Sequence, residues 1–236
     1  MKILKFGGKS LANDGIEKVL SIIAGLATTE PISVVVSARG NTTDELEALL
    51  EKASKGEDYT ADFQQLKDEQ QYNDSVSFEP EFQLLEKLLE GVSLLKDYSP
   101  KTKDLVLAQG ELVSAKLVVA LLQRKGLEST FVDSREIFKT DAVVGNAQII
   151  NSVSEKLTRD RFATIPPNCV AVVTGFIAST EKGDTTTLGR NGSNYSAALL
   201  ANYLNASELQ NYTHVDGIFT ANPELVPEAK IIRHLS

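Results

Sequence analysis

An α/β fold with a largely parallel sheet covered on both faces is predicted by three observations. Short β-branched runs recur along the chain, and helical patterns separate them. At 236 residues and 42% hydrophobic content, the chain can also bury a sizeable core in one domain or two closely joined lobes.

The expected strands are Ile3 to Phe6, Ser33 to Ser37, Thr130 to Asp133, Val170 to Thr174 and about Leu209 to Thr213. After the first, Asn13 or Asp14 is placed to cap a helix, and Ile16, Val19, Leu20, Ile23 and Ala27 then recur at helical spacing. After the second, a helix is expected from about Asp44. Residues 56 to 100 differ in character: Glu57, Asp58, Asp62, Asp68 and Glu69 come first, followed by a helical stripe of Phe82, Leu85, Leu89 and Val92. This reads as a helical insertion, partly mobile, whose charge-rich face is most simply a solvated one. Ser99-Pro100 has the form of an N-cap and first helical position, with Leu105, Ala108, Leu112 and Leu117 facing inward and Gly126 closing the helix. Gly110 lies inside that pattern, where a glycine costs about 1 kcal/mol against alanine. A close approach by another backbone, a ligand or a packing contact would each account for it.

Composition narrows the function classes. The formal charge is −8, from 24 Lys+Arg against 32 Asp+Glu, which argues against a general nucleic-acid or anionic-membrane surface. Cys169 is the single cysteine, so no internal disulfide forms; beside Val170 to Val173 it reads as a core thiol, and a reducing cytoplasm fits. No signal-like segment opens the chain, and no apolar stretch is expected to approach the ~20 residues that span a bilayer. His214 and His234 are too far apart for a local zinc motif, and no metal site is expected.

Four segments carry the chemistry. Lys5-Phe6-Gly7-Gly8-Lys9-Ser10 follows the first strand and joins a cation to a paired-glycine turn, an arrangement suited to phosphate, although a lysine at a strand end is also commonly just solvated. It is not a Walker A loop, because Ile3 stands where the first glycine would be needed. No two of the fifteen glycines are separated by a single residue, which excludes the G-x-G-x-x-G loops. Thr185 to Ala198 runs through Gly189-Arg190-Asn191-Gly192 into a helix that Ser193 is expected to cap, forming either an anion cradle or simply a well-capped turn. Tyr212 to Pro223 leaves a strand and turns at Asp216-Gly217, which turn chemistry alone explains. Val36 to Asp44 ends a buried strand in small hydroxyl residues, at the edge where open α/β sheets hold ligands.

Taken in order, these segments, with Gln109-Gly110-Glu111 and Gly175-Phe176-Ile177-Ala178, resemble the amino-acid kinase family from Lys5 to the last residue. Within it the likeness is to the aspartate kinases, and most of all to the kinase portion of chains fused to homoserine dehydrogenase. The resemblance implies a three-layer αβα sandwich over residues 1–236. An amino-acid-binding lobe would occupy about 1–165, and a nucleotide-binding lobe, stopping short of the family's full pattern, about 166–236. It implies transfer of a phosphoryl group from ATP, accompanied by Mg2+, to the side-chain carboxylate of L-aspartate. It leaves open a homodimer and fusion to regulatory and homoserine dehydrogenase domains. On the family's pattern Lys5, Gly7, Gly8 and Ser10 serve the phosphates, and Ser37, Thr43 and Phe176 line the amino-acid pocket. Glu111 holds the substrate ammonium, Arg190 clamps a substrate carboxylate, and Asn194 orients Lys5 through a hydrogen bond. Thr213, His214, Asp216, Phe219 and Glu224 border the nucleotide.

The resemblance is broken at particular places. Lys9 stands where the family shows a small hydroxyl residue, Asn191 replaces a glycine, Asn194, His214 and Asn222 replace aspartates, and Glu224 replaces an arginine. Two like charges about 4 Å apart repel by roughly 4 kcal/mol at an effective dielectric near 20, so Glu224 is expected to weaken ATP binding if it faces the phosphates. The alternatives to an active aspartate kinase are a catalytically degenerate fold with a structural or regulatory role, or a kinase for another carboxylate such as glutamate or acetylglutamate.

Overall fold

In the computed structural model, residues 1–72, 76–213, 217, 219–221 and 225–233 are described. The first strand, β1 (Lys2–Phe6), runs into a 3-10 turn at Gly8–Leu11 and then α1 (Gly15–Ala27). Next come β2 (Ile32–Val36), α2 (Thr42–Lys55), α3 (Thr60–Gln70), α4 (Glu79–Leu95) and the long α5 (Pro100–Arg124). The remainder is β3 (Ser129–Val132), α6 (Ser134–Ile137), β4 (Lys139–Thr140), α7 (Asn151–Ala163), β5 (Val170–Thr174), β6 (Ile177–Thr180), β7 (Thr185–Thr187), α8 (Gly192–Tyr203) and β8 (Glu208–Tyr212).

The main sheet has the order β3-β5-β2-β1-β8, and every pairing in it is parallel. Alternation along its strands supplies two cores. Leu4, Phe6, Val34, Val36, Val170 and Val172 pack with α1, α2, α4 and α5, whereas Ile3, Val35, Ala171 and Val173 pack with α8 and the segment around Phe138. The inner strands β1, β2 and β5 are buried on both faces, so they read in sequence as near-continuous apolar runs, whereas the edge strand β8 is polar and largely exposed. The five strands expected from sequence are thus all present, each within a residue or so of its expected bounds. A second sheet, β4-β6-β7, pairs β4 with β6 in parallel and β6 with β7 antiparallel. Its strands are two to four residues long, too short to give a periodic signal.

Several local expectations change. Lys5 is not the solvated lysine of a strand end: it lies on an interior strand between β2 and β8 and is buried. Asp14 precedes α1 without any side-chain capping bond, α2 starts at Thr42 instead of Asp44, and the N-cap of α8 is Asn191, at φ 60°, instead of Ser193. Asn191 thus takes a left-handed conformation in which glycine would be unstrained. The segment read as an insertion is integral to the core: Phe63, Leu66, Phe78, Phe82, Leu85, Leu89 and Val92 all join the larger cluster. Its acidic residues Glu57, Asp58, Asp62, Asp68 and Glu69 are exposed. Ser99 does cap α5, accepting from the Thr102 N–H at 3.1 Å. This helix is long and apolar enough to cross a membrane, which the sequence reading did not expect, yet most of its apolar stretch is buried inside the molecule.

Packing decides the question raised by Gly110. A Cβ there would lie 3.0 Å from the Ala38 methyl and 3.1 Å from Thr42 Cγ2. We expect Gly110→Ala to destabilise the fold by about 1–3 kcal/mol in urea unfolding, the crowding outweighing the ~1 kcal/mol of helix propensity gained.

Candidate active site

A cleft of about 560 Å³ opens where β1, β2 and β5 end, at the carboxyl edge of the sheet. Lys5, Ser37, Thr43, Glu111, Phe176, Arg190 and Asn194 all line it. They arrive from separate parts of the chain. Lys5 is the penultimate residue of β1, Ser37 follows β2, and Thr43 is in the first turn of α2. Glu111 projects from the middle of α5, Phe176 from the turn between β5 and β6, and Arg190 and Asn194 from the entry to α8.

Two of these groups are buried and ionisable. Lys5 is 8% exposed, and burial draws its ammonium below its ordinary value while the nearby Glu111 carboxylate partly restores it. Glu111 is 3% exposed, and burial pushes its carboxyl well above the usual range against the opposing pull of an N–H bond from Ala38 and of Lys5. Its Oε2 is buried with no hydrogen-bond partner. Such an oxygen costs about 1–3 kcal/mol unless a donor reaches it. Arg190 is exposed to the cleft, and among the described residues no ion pair or hydrogen bond engages its guanidinium. One wall therefore offers an acceptor lacking a donor, and another a free five-donor fork. Asn194 makes no hydrogen bond to Lys5; the partner that opposes the Lys5 charge is Glu111.

Close backbone approaches hold these walls. A Cβ on Gly175 would lie 2.6 Å from Ser193 Cβ, and one on Gly192 would lie 2.7 Å from Phe176 Cδ2. The β5–β6 turn thus seats directly on the start of α8. Phe176 has φ 65°, a strained value for a bulky residue. Its N–H donates to Ser196 Oγ at 3.0 Å, and its carbonyl accepts from the Leu188 N–H at 2.9 Å. Ser114 Oγ donates to the Ser37 carbonyl at 2.8 Å and anchors the β2–α2 loop on α5.

The residues expected to border the nucleotide lie elsewhere. Gly7, Gly8, Ser10, Thr213 and Phe219 do not line the cleft. Gly7 adjoins it, since a Cβ there would be 3.5 Å from Lys5 Nζ, and its N–H donates to the Tyr212 carbonyl at 3.2 Å. Gly8 is required by packing, because a Cβ would lie 2.3 Å from the Ala38 carbonyl oxygen. Ser10 donates its N–H to Gly7 within the turn, Thr213 is exposed, and Phe219 bridges to Ile231. His214, Asp216, Asn222 and Glu224 lie outside the described residues.

Sequence reasoning missed Asp104. It is 2% exposed, lines the cleft, and accepts from Gly145 N at 2.9 Å, Thr187 N at 3.1 Å and Thr187 Oγ1 at 2.8 Å. It lies two turns before Glu111 on the same helix face, so its polarity within an apolar stripe was the available signal. We expect Asp104→Ala to destabilise the protein by about 3 kcal/mol or more, because three donors lose their acceptor. Urea unfolding measures that loss, and loosening of Thr187 is expected to widen the cleft.

An open parallel sheet with a cleft at its carboxyl edge, carrying a buried carboxyl, a buried ammonium and a free guanidinium, defines an α/β protein built to hold a small charged molecule. The chain belongs to the amino acid kinase family, whose model matches residues 1–236. It is similar to the bifunctional aspartokinase/homoserine dehydrogenase of Buchnera aphidicola, with 30% identity over 100% of this chain and 31% of that protein. It is 32% identical to lysine-sensitive aspartokinase 3 of Escherichia coli, over 99% of this chain and 53% of the relative. The crystal structure of E. coli aspartokinase III in complex with aspartate and ADP (R-state) matches at a TM-score of 0.89 and 30% identity, over 98% of this chain and 53% of that one. The chain thus spans about a third to a half of these relatives.

Proposed function

We propose that this chain transfers the γ-phosphoryl group of ATP to the side-chain carboxylate of L-aspartate. The observation that carries the reading is that Glu111, whose buried Oε2 has no donor, lines the same cleft as the unengaged Arg190 guanidinium. An α-amino acid answers both, its ammonium meeting Glu111 and its α-carboxylate taking the planar fork of Arg190. Ser37 and Thr43 supply hydroxyls along one wall, and Phe176 supplies an apolar one. An acetylated amine offers no ammonium to Glu111, which favours aspartate over acetylglutamate.

The proposed chemistry asks little of the protein beyond positioning and charge neutralisation. With a reference pKa of about 3.9 the acceptor carboxylate is already ionised at neutral pH, so no general base is needed. Lys5 neutralises charge on the transferring phosphoryl group, with Gly7, Gly8 and Ser10 beside the phosphates. Thr213, His214, Asp216, Phe219 and Glu224 are assigned to the nucleotide on the family's pattern. Among the described residues no group of three or more His, Cys, Asp or Glu side chains is placed to hold a metal ion, so Mg2+ would be held chiefly by triphosphate oxygens.

The test is hydroxylamine trapping: aspartyl hydroxamate should form from ATP, aspartate and Mg2+. Calorimetric titration with aspartate runs alongside it. Aspartate binding without hydroxamate would support a degenerate kinase fold, and failure of both would overturn the assignment.

A further inference from the structure

We propose that a second cavity, of about 370 Å³ and sharing no lining residue with the cleft, binds a free α-amino acid, with its ammonium against Glu45 and Gln70 and its carboxylate against Arg39. The cavity lies beside the β2–α2 loop and the end of α3, and neither Arg39, Glu45 nor Gln70 has a part in the proposed phosphoryl transfer.

Gln70 carries the argument. It is 4% exposed and lines this cavity. The Thr42 hydroxyl donates its proton to the Arg39 carbonyl at 2.5 Å, so Thr42 Oγ1 is the acceptor for Gln70 Nε2 at 2.8 Å. That fixes which way the amide faces and leaves Gln70 Oε1 buried without a donor. Glu45, which lines this cavity and a neighbouring one beside Lys52 and Asp62, likewise has a buried Oε2 with no donor. Two residues that line one space thus each carry an acceptor lacking a donor, which calls for a group with several N–H bonds. An ammonium carries three.

The opposite charge is provided by Arg39. Its Nε donates to the Leu11 carbonyl at 3.1 Å, its Nη1 to the Glu69 carbonyl at 2.7 Å, and its guanidinium lies 5.7 Å from the Tyr72 ring centroid. These contacts hold the plane in place, and among the described residues the remaining N–H groups have no acceptor. A preset guanidinium with spare donors suits a carboxylate. Asn13 and Asn41 add neutral polar groups to the lining. The volume far exceeds the ~30 Å³ share of one water and suits a small zwitterion. An anion alone would leave the two acceptors unmet, and a cation alone would leave the spare N–H groups of Arg39 unmet, although the Glu69 carboxylate on the same lining already opposes part of its charge.

The inference does not rest on the aspartate kinase reading, and its test is separate. Each standard amino acid is titrated by calorimetry into the Arg190→Ala protein, in which the cleft has lost its clamp. At least one should bind. Glu45→Gln and Arg39→Met, each added to that background, should weaken the binding about tenfold or more, in keeping with loss of a hydrogen bond to a charged group. The matching amine without a carboxylate, and the acid without an amine, should bind far more weakly than the intact amino acid. Cooperative melting checks that each variant is folded, and Arg39→Lys, which keeps the charge but loses the planar fork, replaces Arg39→Met if that variant is not. Failure of every amino acid to bind, or binding unmoved by the substitutions at both 45 and 39, overturns the proposal, while hydroxamate formation by the unaltered chain reports on the phosphotransfer reading alone.

Discussion

Lys5→Met is expected to lower hydroxamate formation about 10²–10³-fold, the usual cost of removing one preorganised group that stabilises developing charge. Aspartate binding should change far less, because the Glu111 and Arg190 contacts remain. The protein should stay folded, since Lys5 is a desolvated cation whose ammonium burial already disfavours, and methionine fills similar space without a charge. Equal losses in kcat and kcat/KM, with a nearly constant calorimetric Kd for aspartate, would place Lys5 at the transferring phosphoryl group. A rise in Kd matching the whole loss would place it on the amino acid instead.

Glu111→Gln is expected to weaken aspartate roughly 10–100-fold, because an amide cannot replace the charged acceptor of an ammonium. Two pH effects accompany it. The Glu111 carboxyl is held well above its ordinary value by burial, so the folded chain keeps this proton over a range in which the unfolded chain has lost it. Folding then takes up a proton, and stability falls as pH rises from the ordinary carboxylate value towards the raised one. The glutamine variant lacks that slope, so its melting temperature should gain on the parent as pH rises. Aspartate binding runs the other way. Pairing with an ammonium requires the ionised carboxylate, so binding releases a proton and strengthens with pH up to the raised value. Calorimetry in buffers of different ionisation enthalpy measures that proton, and a buffer-independent enthalpy in the parent would exclude it.

How much of this was legible in sequence depended on the length and chemistry of each element. The parallel strands were legible because burial on both faces makes them continuous apolar runs, as in Ile32 to Val36 and Val170 to Thr174. The β4-β6-β7 sheet was not, since segments such as Lys139–Thr140 are set by tertiary pairing with no local pattern of their own. The acidic start of residues 56 to 100 suggested a partly mobile helical insertion, yet Phe63 and Leu66 suffice to dock α3 into the core. Among site residues, Lys5, Glu111 and Arg190 were reached through ordered motifs whose residue types differ from their surroundings. Asp104 and Ser114 act on main-chain groups brought in by folding, and nothing near them in sequence announces that partner. The unusual backbone at Phe176 was equally hidden, because a bulky aromatic does not signal a positive φ, whereas Asn191, standing where the family shows a glycine, is of a type that visits that region.

Ala38 sits wedged between Gly8, whose Cβ would fall 2.3 Å from its carbonyl oxygen, and Gly110, whose Cβ would fall 3.0 Å from its methyl, while its N–H bonds Glu111. This leaves the wall that carries Ser37 and Glu111 no slack: a larger residue at 8, 38 or 110 displaces the carboxyl and the hydroxyl together. Divergence towards bulkier acceptors must therefore be absorbed by the facing wall from Phe176 to Arg190, and engineered changes of substrate should begin there.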